Sequence, residues 1–213
     1  MVRSIHNRRV GVIRILRQSR LLLWEWVGVL CRANTVPTKL FMFPRYGQKL
    51  GRVQGVGYVN ELLARLTGQP VQDETQTNHT LDDSPITFPL DRTFYADFTH
   101  DDEMISIYGA LGLFVQPDDL DPTQPDEGRT WVASKMVPFS GRMITEKLSC
   151  NGTETGNPGE YVRVFVNDAI QPLAFCGARG DGLCTLANFV ESQSYARNNG
   201  EGDWALYFVG EEA

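Results

Sequence analysis

The sequence predicts an α/β fold, because strand-like and helical patterns alternate along its orderly part. The clearest pair lies in residues 94–114, FYADFTHDDEMISIYGALGLF, where a short aromatic-rich run leads directly into a helical pattern. One helical pattern precedes this stretch, and two strand-like runs and a last helical pattern follow it. At 213 residues with 42% hydrophobic residues, the chain is long enough to bury a core.

The junction inside residues 94–114 is the main candidate site. Residues 94–99 have the pattern of a buried strand, and residues 104–112 carry apolar side chains at helical spacing. His100 and Asp101 lie between the two elements. An imidazole, a carboxyl group and the N–H groups of a helix N-terminus would then share one small volume. This arrangement predicts a site that can handle an anion.

The remaining elements follow from the same patterns. We predict a helix that follows Gly55-x-Gly57 and stops at Gly68, a polar excursion over 72–89, an acidic loop over 115–129, strand-like runs over 131–148 and 161–173, and a helix over 186–197. Gly68 ends the first helix, and Asn167-Asp168 turns the chain inside the second strand-like run. Gly55-x-Gly57 lacks the third glycine and the preceding strand of a dinucleotide site, so we interpret it as a helix entry. The acidic loop is predicted to be solvated surface rather than a calcium site.

Residues 1–52 differ in charge from the rest of the chain. They contain 11 basic residues and one acid, Glu25, whereas residues 53–213 contain 9 basic and 25 acidic residues. The acidic part is therefore not expected to bind nucleic acid. Basic residues precede the apolar run LLLWEWVGVL at residues 21–30, an order typical of a secretory signal. Glu25 opposes insertion, and the run is too short for a stable membrane span.

Three interpretations of residues 1–52 stay open. They are a signal or signal anchor, a basic amphipathic helix, and an irregular leader that is foreign to the downstream domain, including the product of an incorrect gene model. We predict two parts accordingly, an atypical basic leader over residues 1–52 and one domain over residues 53–213.

Cysteines and glycosylation sequons indicate the compartment. Cys176 and Cys184 bracket CGARGDGLC, whose glycines allow the tight return that a small disulfide ring needs. Asn78 and Asn151 each begin an N-glycosylation sequon. Together these features predict an oxidising, secreted setting. A zinc site on the cysteines is disfavoured, because no CxxC pair and no nearby histidine occurs.

The acidic cluster around His100 allows three interpretations. Its members are Asp97, His100, Asp101, Asp102 and Glu103. They can form a capped helix start, a general-acid site or a metal site. Consecutive residues point in different directions, so one ion would need further ligands from elsewhere. We predict neither a metal nor a cofactor.

Several long stretches carry a family resemblance, and they occur in order over residues 50–208. They are VQGVGYVNELLARLTGQPVQD, NHTLDDSPITFPL, FYADFTHDDEMISIYGALGL, VPFSGRMITEKLSC, VRVFVNDAIQPL, GLCTLANFVESQSYAR and GDW. With them, the chain resembles the C-terminal part of fungal phytases of the histidine acid phosphatase family, in clade 2 of the histidine phosphatase superfamily. Because several stretches match together, the resemblance is highly specific.

The resemblance implies a phosphoglycerate-mutase-like fold, of which residues 53–213 form the incomplete C-terminal portion of the large domain. It also implies secretion and hydrolysis of phosphomonoesters such as phytate through a phosphohistidine. In the family, the nucleophile belongs to an N-terminal RHGxRxP motif, whose arginines hold the phosphoryl oxygens. Carried onto this sequence, His100 would bind a phosphoryl oxygen. Asp101 would protonate the leaving alkoxide and then activate water.

The sequence departs from the family pattern in several positions. No RHGxRxP motif occurs in residues 1–213, so the covalent mechanism has no nucleophile. Asp102, a candidate substrate-binding residue, stands where the family usually has asparagine and adds a charge that repels phosphate. Tyr207 takes the place of the family's last cysteine. The usual partner of Cys150 would lie in the missing N-terminal part.

Two hypotheses follow. The first is a phytase-like phosphomonoester hydrolase, of which this chain carries the proton-donor half and needs the missing N-terminal half. The second is a catalytically inactive truncated product or pseudoenzyme that at most binds phosphate or a partner. In both, the strand at residues 94–99 is expected to lack neighbours on both sides, which would expose sheet edges.

Overall fold

The structure is a computed structural model that describes residues 49–118, 120, 126–151, 158–178 and 180–208, together with the backbone of residues 8–17. Within these residues, six strands form one mixed sheet. The strands are β1 (Arg8–Arg17), β2 (Phe94–Thr99), β3 (Arg142–Cys150), β4 (Gly159–Val166), β5 (Ala169–Ile170) and β6 (Cys184–Thr185). Their order is β2-β1-β3-β4-β5, and β6 also pairs with β4.

Seven helices accompany the sheet in the described ranges. They are α1 (Lys49–Val53), α2 (Val56–Thr67), α3 (His79–Asp82), α4 (Asp101–Leu111), α5 (Ala133–Met136), α6 (Leu186–Ser192) and α7 (Ser194–Arg197). Two 3₁₀ segments, Ala174–Cys176 and Asn199–Phe208, complete the fold. None of the helices that the structure describes is long and apolar enough to cross a membrane. The apolar run at residues 21–30, with its signal and amphipathic-helix interpretations, lies outside the described residues.

Strand β1 lies inside the sheet, between β2 and β3. It runs parallel to β2 and antiparallel to β3, with Val12 opposite Phe94 and Arg17 opposite Thr99. The expectation that residues 94–99 lack neighbours on both sides is therefore wrong on one side. That expectation followed from the interpretation of the chain as a C-terminal portion without the earlier strands of the domain. It took no account of the run of Val, Ile and Leu with high strand propensity at residues 10–16. The interpretation of residues 1–52 as an irregular leader likewise did not include a strand at Arg8–Arg17.

The second half of the sheet is antiparallel and begins later than its pattern suggested. In place of a strand from residue 131, the chain forms α5 first, and β3 starts at Arg142. Asn167 and Asp168, which join β4 to β5, have φ values of 50° and 68°. This left-handed pair confirms the predicted tight turn, because two-residue hairpin loops favour that conformation.

The core lies between α2, α4 and one face of the sheet. All of the predicted apolar positions of α2 and α4 are buried. They are Val59, Leu62, Leu63 and Leu66 in α2, and Met104, Ile105, Tyr108 and Leu111 in α4. Met143, Val164 and Val166 extend this core from the sheet. Ile144 and Phe165, paired on the other face, do not belong to it.

Glycine is required where α2 begins, because α4 passes very close to it. A Cβ atom on Gly55 would lie 2.5 Å from the Ser106 carbonyl oxygen and 2.7 Å from the Ile107 Cα. At the other end, Gly68 has φ 69° and its N–H donates to the Ala64 carbonyl. Both observations agree with the predicted helix, which was expected to be entered at Gly55-x-Gly57 and to stop at Gly68. The helix starts at Val56 and is preceded by α1.

Strand β2 is not the buried strand that its pattern predicted, because it leaves an apolar face exposed. Phe94 and Phe98 retain 56% and 61% of their surface, and β2 is the end strand of the sheet in the part that the structure describes. Its alternate residues, Tyr95, Asp97 and Thr99, are half-buried. The strand therefore presents one covered face and one open face.

Candidate functional site

His100 and Asp101 lie at the carboxyl end of β2, where the chain enters α4. His100 is the N-cap residue, with φ −88° and ψ 164°, and its side chain makes no capping hydrogen bond. Its carbonyl accepts the Met104 N–H at 3.1 Å. His100 is exposed and Asp101 is half-buried. The predicted strand, turn and helix are thus present, and they bring an imidazole and a carboxyl group to one helix N-terminus.

Strand β1 ends beside this junction. Because β1 and β2 are parallel, their carboxyl ends meet at the same edge of the sheet, and Arg17 is the register partner of Thr99. Open α/β sheets bind ligands outside the carboxyl ends of their strands. The topology therefore brings an arginine of the basic segment to the strand end where His100 follows.

A cleft of about 270 Å³ adjoins the junction on the α2 side. Thr99 and Glu103 line it, whereas His100 and Asp101 do not. Its other walls come from four parts of the chain, namely α2, the excursion after α2, β2 and α4. Their lining residues are Gly57, Tyr58, Glu61, Gln76, Thr77, Asp97, Phe98 and Ile107. The cleft is a neighbour of the junction rather than the predicted site itself.

A partly buried charge network forms the wall between α2 and β2. The Arg65 guanidinium lies 2.6 Å from the Asp97 carboxylate and 3.5 Å from that of Glu61. It also stacks over the rings of Phe88 and Tyr95, at 4.7 and 5.2 Å from their centroids. The Arg65 side chain retains only 9% of its surface. Asp97, a member of the predicted acidic cluster, is therefore an ion-pair partner of α2.

Burial dominates the protonation behaviour of this wall. It raises the pKa of the Tyr58 hydroxyl well above its ordinary value, and the charge of Asp97 adds to this shift while Arg65 opposes it. Burial likewise raises the pKa of Glu61, again against the effect of Arg65. Sequence reasoning missed Tyr58, Glu61 and Arg65. Their spacing of three and four residues on one side of the predicted helix was the available signal.

The residues of the acidic cluster do not form a metal-binding group. In the described part of the chain, one set of three ligand atoms lies within 4.8 Å, and it belongs to His79, Asp82 and Asp83. That set is in α3 and just after it, in the excursion predicted to be polar surface. Nδ1 of the His79 imidazole lies 3.3 Å from Oδ1 of Asp82.

The cysteines and sequons are placed as follows. Cys176 and Cys184 form a disulfide with a Cα–Cα distance of 6.0 Å, which links the first 3₁₀ segment to β6. Cys150, at the end of β3, is half-buried and is not disulfide-bonded. Asn78 is exposed, and its side chain accepts the Thr80 N–H at 3.0 Å. Asn151 is exposed as well, and the remainder of its sequon lies outside the described residues.

Tyr207 connects the last 3₁₀ segment to α1. Its hydroxyl donates to the Leu50 carbonyl at 2.9 Å and accepts a hydrogen bond from the Gln54 side chain. Trp204 packs against the Tyr207 ring at 5.1 Å between centroids. Hydrogen bonds and ring packing thus hold the C-terminal segment at Tyr207, the position at which the family resemblance predicts a cysteine.

Comparison with protein families gives a match over most of the described chain. The family model described as the histidine phosphatase superfamily (branch 2) matches residues 32–167. The match begins 21 residues before the expected boundary at Val53.

Individual relatives agree with the family match. Over 166 residues, the chain is 47% identical to Phytase A of Emericella nidulans, covering 76% of this chain and 34% of that one. It is 44% identical over 160 residues to Phytase A of Arthroderma benhamiae, covering 74% and 35%. The crystal structure of the phytase from D. castellii has a TM-score of 0.57 at 20% identity, covering 76% and 30%. The chain thus spans about a third of the length of these curated relatives.

Proposed function

Because the chain belongs to the histidine phosphatase superfamily (branch 2), we propose that it carries the proton-donor half of a phosphomonoester hydrolase site. Asp101 is the proton donor and His100 binds a phosphoryl oxygen. The observation that supports this most is the position of both residues at the carboxyl end of β2, where α4 begins and the parallel strand β1 ends.

Asp101 acts on the leaving group. An alkoxide is a poor leaving group, so the ester oxygen must receive a proton as its bond to phosphorus breaks. The Asp101 carboxyl group donates this proton and becomes a carboxylate. In the second step, the carboxylate accepts a proton from the water molecule that attacks phosphorus, which restores the acid.

Positive and partly positive groups at the junction suit a phosphoryl group. The N–H groups in the first turn of α4 point toward the end of β2, and the dipole of this 11-residue helix favours an anion there. His100 adds an exposed imidazole, and β1 brings Arg17 to the same strand end. Asp102 and Glu103 oppose binding by their charge.

The 213-residue chain supplies no RHGxRxP nucleophile, so we propose that it does not turn over substrate by itself. Relatives named Phytase A make phytate the proposed substrate of the complete site. The disulfide between Cys176 and Cys184 and the exposed Asn78 support the proposed secreted, oxidising location.

A second candidate function is phosphate binding without catalysis by an inactive product. The lack of an RHGxRxP motif and the acidic Asp102 after the His-Asp pair favour it. Both candidates share a phosphate site at His100, and they differ in whether Asp101 transfers a proton once a nucleophile is present.

Phosphate binding tests the shared part of the proposal. Inositol hexakisphosphate is titrated calorimetrically into the purified chain at acidic pH in metal-free buffer, and we expect His100→Gln to weaken binding about fivefold or more. Arg92→Gln is the matched control, because it removes an exposed cation, with 66% of its side-chain surface accessible, from the segment before β2. Equal affinity of the wild type and His100→Gln would contradict the site. Phytate turnover by the wild-type chain that is lost in Asp101→Asn would contradict the need for a separate nucleophile.

A further inference from the structure

We propose that His79, Asp82 and Asp83 form a binding site for a divalent transition metal ion, with Zn²⁺ as the best match. One ligand atom from each of the three residues lies within 4.8 Å of the other two. An imidazole with two carboxylates is a donor set that suits zinc. The site is separate from the proposed phosphoryl-transfer junction, because none of its residues lines the adjoining cleft or belongs to β2 and α4.

Local structure explains why the three side chains meet. His79 is the first residue of α3, and Asp82 and Asp83 follow three and four positions later, so they lie on one side of the helical turn. The Asn78 side chain caps the turn by accepting the Thr80 N–H. The Asp83 N–H donates to the His79 carbonyl at 3.2 Å and closes it. The turn therefore holds the ligands without help from distant parts of the chain.

Asp82 supplies an independent reason to expect a cation. Its side chain retains only 2% of its surface; Oδ1 faces the His79 imidazole, and Oδ2 accepts no hydrogen bond in the part of the chain that the structure describes. A buried carboxylate without hydrogen bonds is costly unless a positive charge compensates it. The group that faces it is the ring nitrogen of His79, which is itself a metal ligand in its neutral form.

The distance between these two groups fits a shared ion. Nδ1 of His79 lies 3.3 Å from Oδ1 of Asp82. Two ligands at about 2.0–2.1 Å from a tetrahedral zinc ion are themselves about 3.3–3.4 Å apart. Asp83 is exposed and can change rotamer to complete a third position, while water takes the fourth. Two carboxylates then balance the double charge of the ion.

The test is titration of Zn²⁺ into the purified full chain, produced in a bacterial host so that Asn78 carries no glycan. We expect one equivalent to bind to the wild type, with at least tenfold weaker binding in His79→Gln and Asp82→Asn. Asp91→Asn is the control, because it removes an exposed carboxylate outside the site. Co²⁺ in place of Zn²⁺ should give the visible absorption of a tetrahedral ion in the wild type and not in His79→Gln.

Thermal melting gives a second readout. Zinc should raise the melting temperature of the wild type, because a ligand that binds the folded state stabilises it, and it should not do so in His79→Gln. His79 is half-exposed, so this variant is expected to fold. Equal zinc affinity in the wild type and His79→Gln would overturn the proposal. So would an absence of zinc binding in the wild type, which is the result expected if a protonated His79 alone compensates Asp82.

Discussion

The Arg65 guanidinium of α2 lies 2.6 Å from the Asp97 carboxylate of β2, three residues before His100. Because the Arg65 side chain is almost completely buried, this ion pair joins the core helix to the strand that ends at the proposed site. The same guanidinium also stacks on the rings of Phe88 and Tyr95. The pair therefore holds β2 against α2 and sets where His100 emerges.

Arg65→Met should lower the free energy of unfolding by about 2 kcal/mol, less than the roughly 3–5 kcal/mol typical of a fully buried pair, because Asp97 is partly exposed. Methionine keeps the apolar stem between the two rings but leaves Asp97 and Glu61 without their cation. Urea denaturation measures the change. Arg92→Met, at an exposed arginine paired with Asp91, should change stability by less than about 0.5 kcal/mol. Similar losses in both variants would contradict a special role for Arg65.

Glu61 should make the folded state less stable as the pH rises. Burial raises its pKa above the ordinary value of 4.5, although Arg65 opposes the shift. The folded chain therefore holds this proton more tightly than the unfolded chain. Stability should fall between pH 4.5 and the raised pKa. Glu61→Gln should remove this fall, so its unfolding free energy relative to the wild type should increase from pH 4 to pH 7. A constant difference across this range would contradict the raised pKa.

Gly55→Ala should destabilise the fold by about 1–3 kcal/mol, because the new methyl group would meet backbone atoms of α4 rather than a flexible side chain. Chemical denaturation measures this loss. Gly180→Ala is a suitable control, since nothing lies within 4 Å of the added carbon and its backbone conformation suits alanine. An unchanged stability of Gly55→Ala would show that α2 and α4 are not packed as closely as described.

Periodicity was sufficient to predict the parts of the fold whose residues pack locally. Helices α2 and α4 bury the apolar positions that their spacing indicated, and the strand, turn and helix around His100 are present. The hairpin at Asn167 was predictable because its turn needs residues that tolerate positive φ. The last helix was predicted as one element, and it divides into α6 and α7 at Gln193.

Features that depend on distant parts of the chain could not be predicted in this way. Strand β1 pairs with residues about 80 and 130 positions later, and its basic composition indicated a leader instead. The ion pair between Arg65 and Asp97 joins residues 32 positions apart. The residues His79, Asp82 and Asp83 are close in sequence. Their proposed role as a metal site depends on the burial of Asp82, which a polar sequence does not indicate.

The central claim is that Asp101 donates the proton to the leaving group. It can be tested in a chimera in which the matched 166 residues of Phytase A from Emericella nidulans are replaced by the corresponding residues of this chain. Asp101→Asn is compared there with Asp91→Asn, which removes an exposed carboxylate outside the site. Hydrolysis of phytate is compared with that of an aryl phosphate, whose leaving group needs little protonation.

If Asp101 is the proton donor, Asp101→Asn should lower kcat/KM for phytate about 100-fold or more, the usual contribution of a general acid. This ratio reports the steps up to departure of the leaving group, so it excludes the hydrolysis of the phosphoenzyme that both substrates share. The loss of kcat/KM on the aryl phosphate should be much smaller, and Asp91→Asn should retain the kcat/KM of the unmodified chimera on both substrates. An Asp101→Asn chimera with undiminished kcat/KM for phytate, or one whose kcat/KM falls by the same factor on both substrates, would contradict the claim.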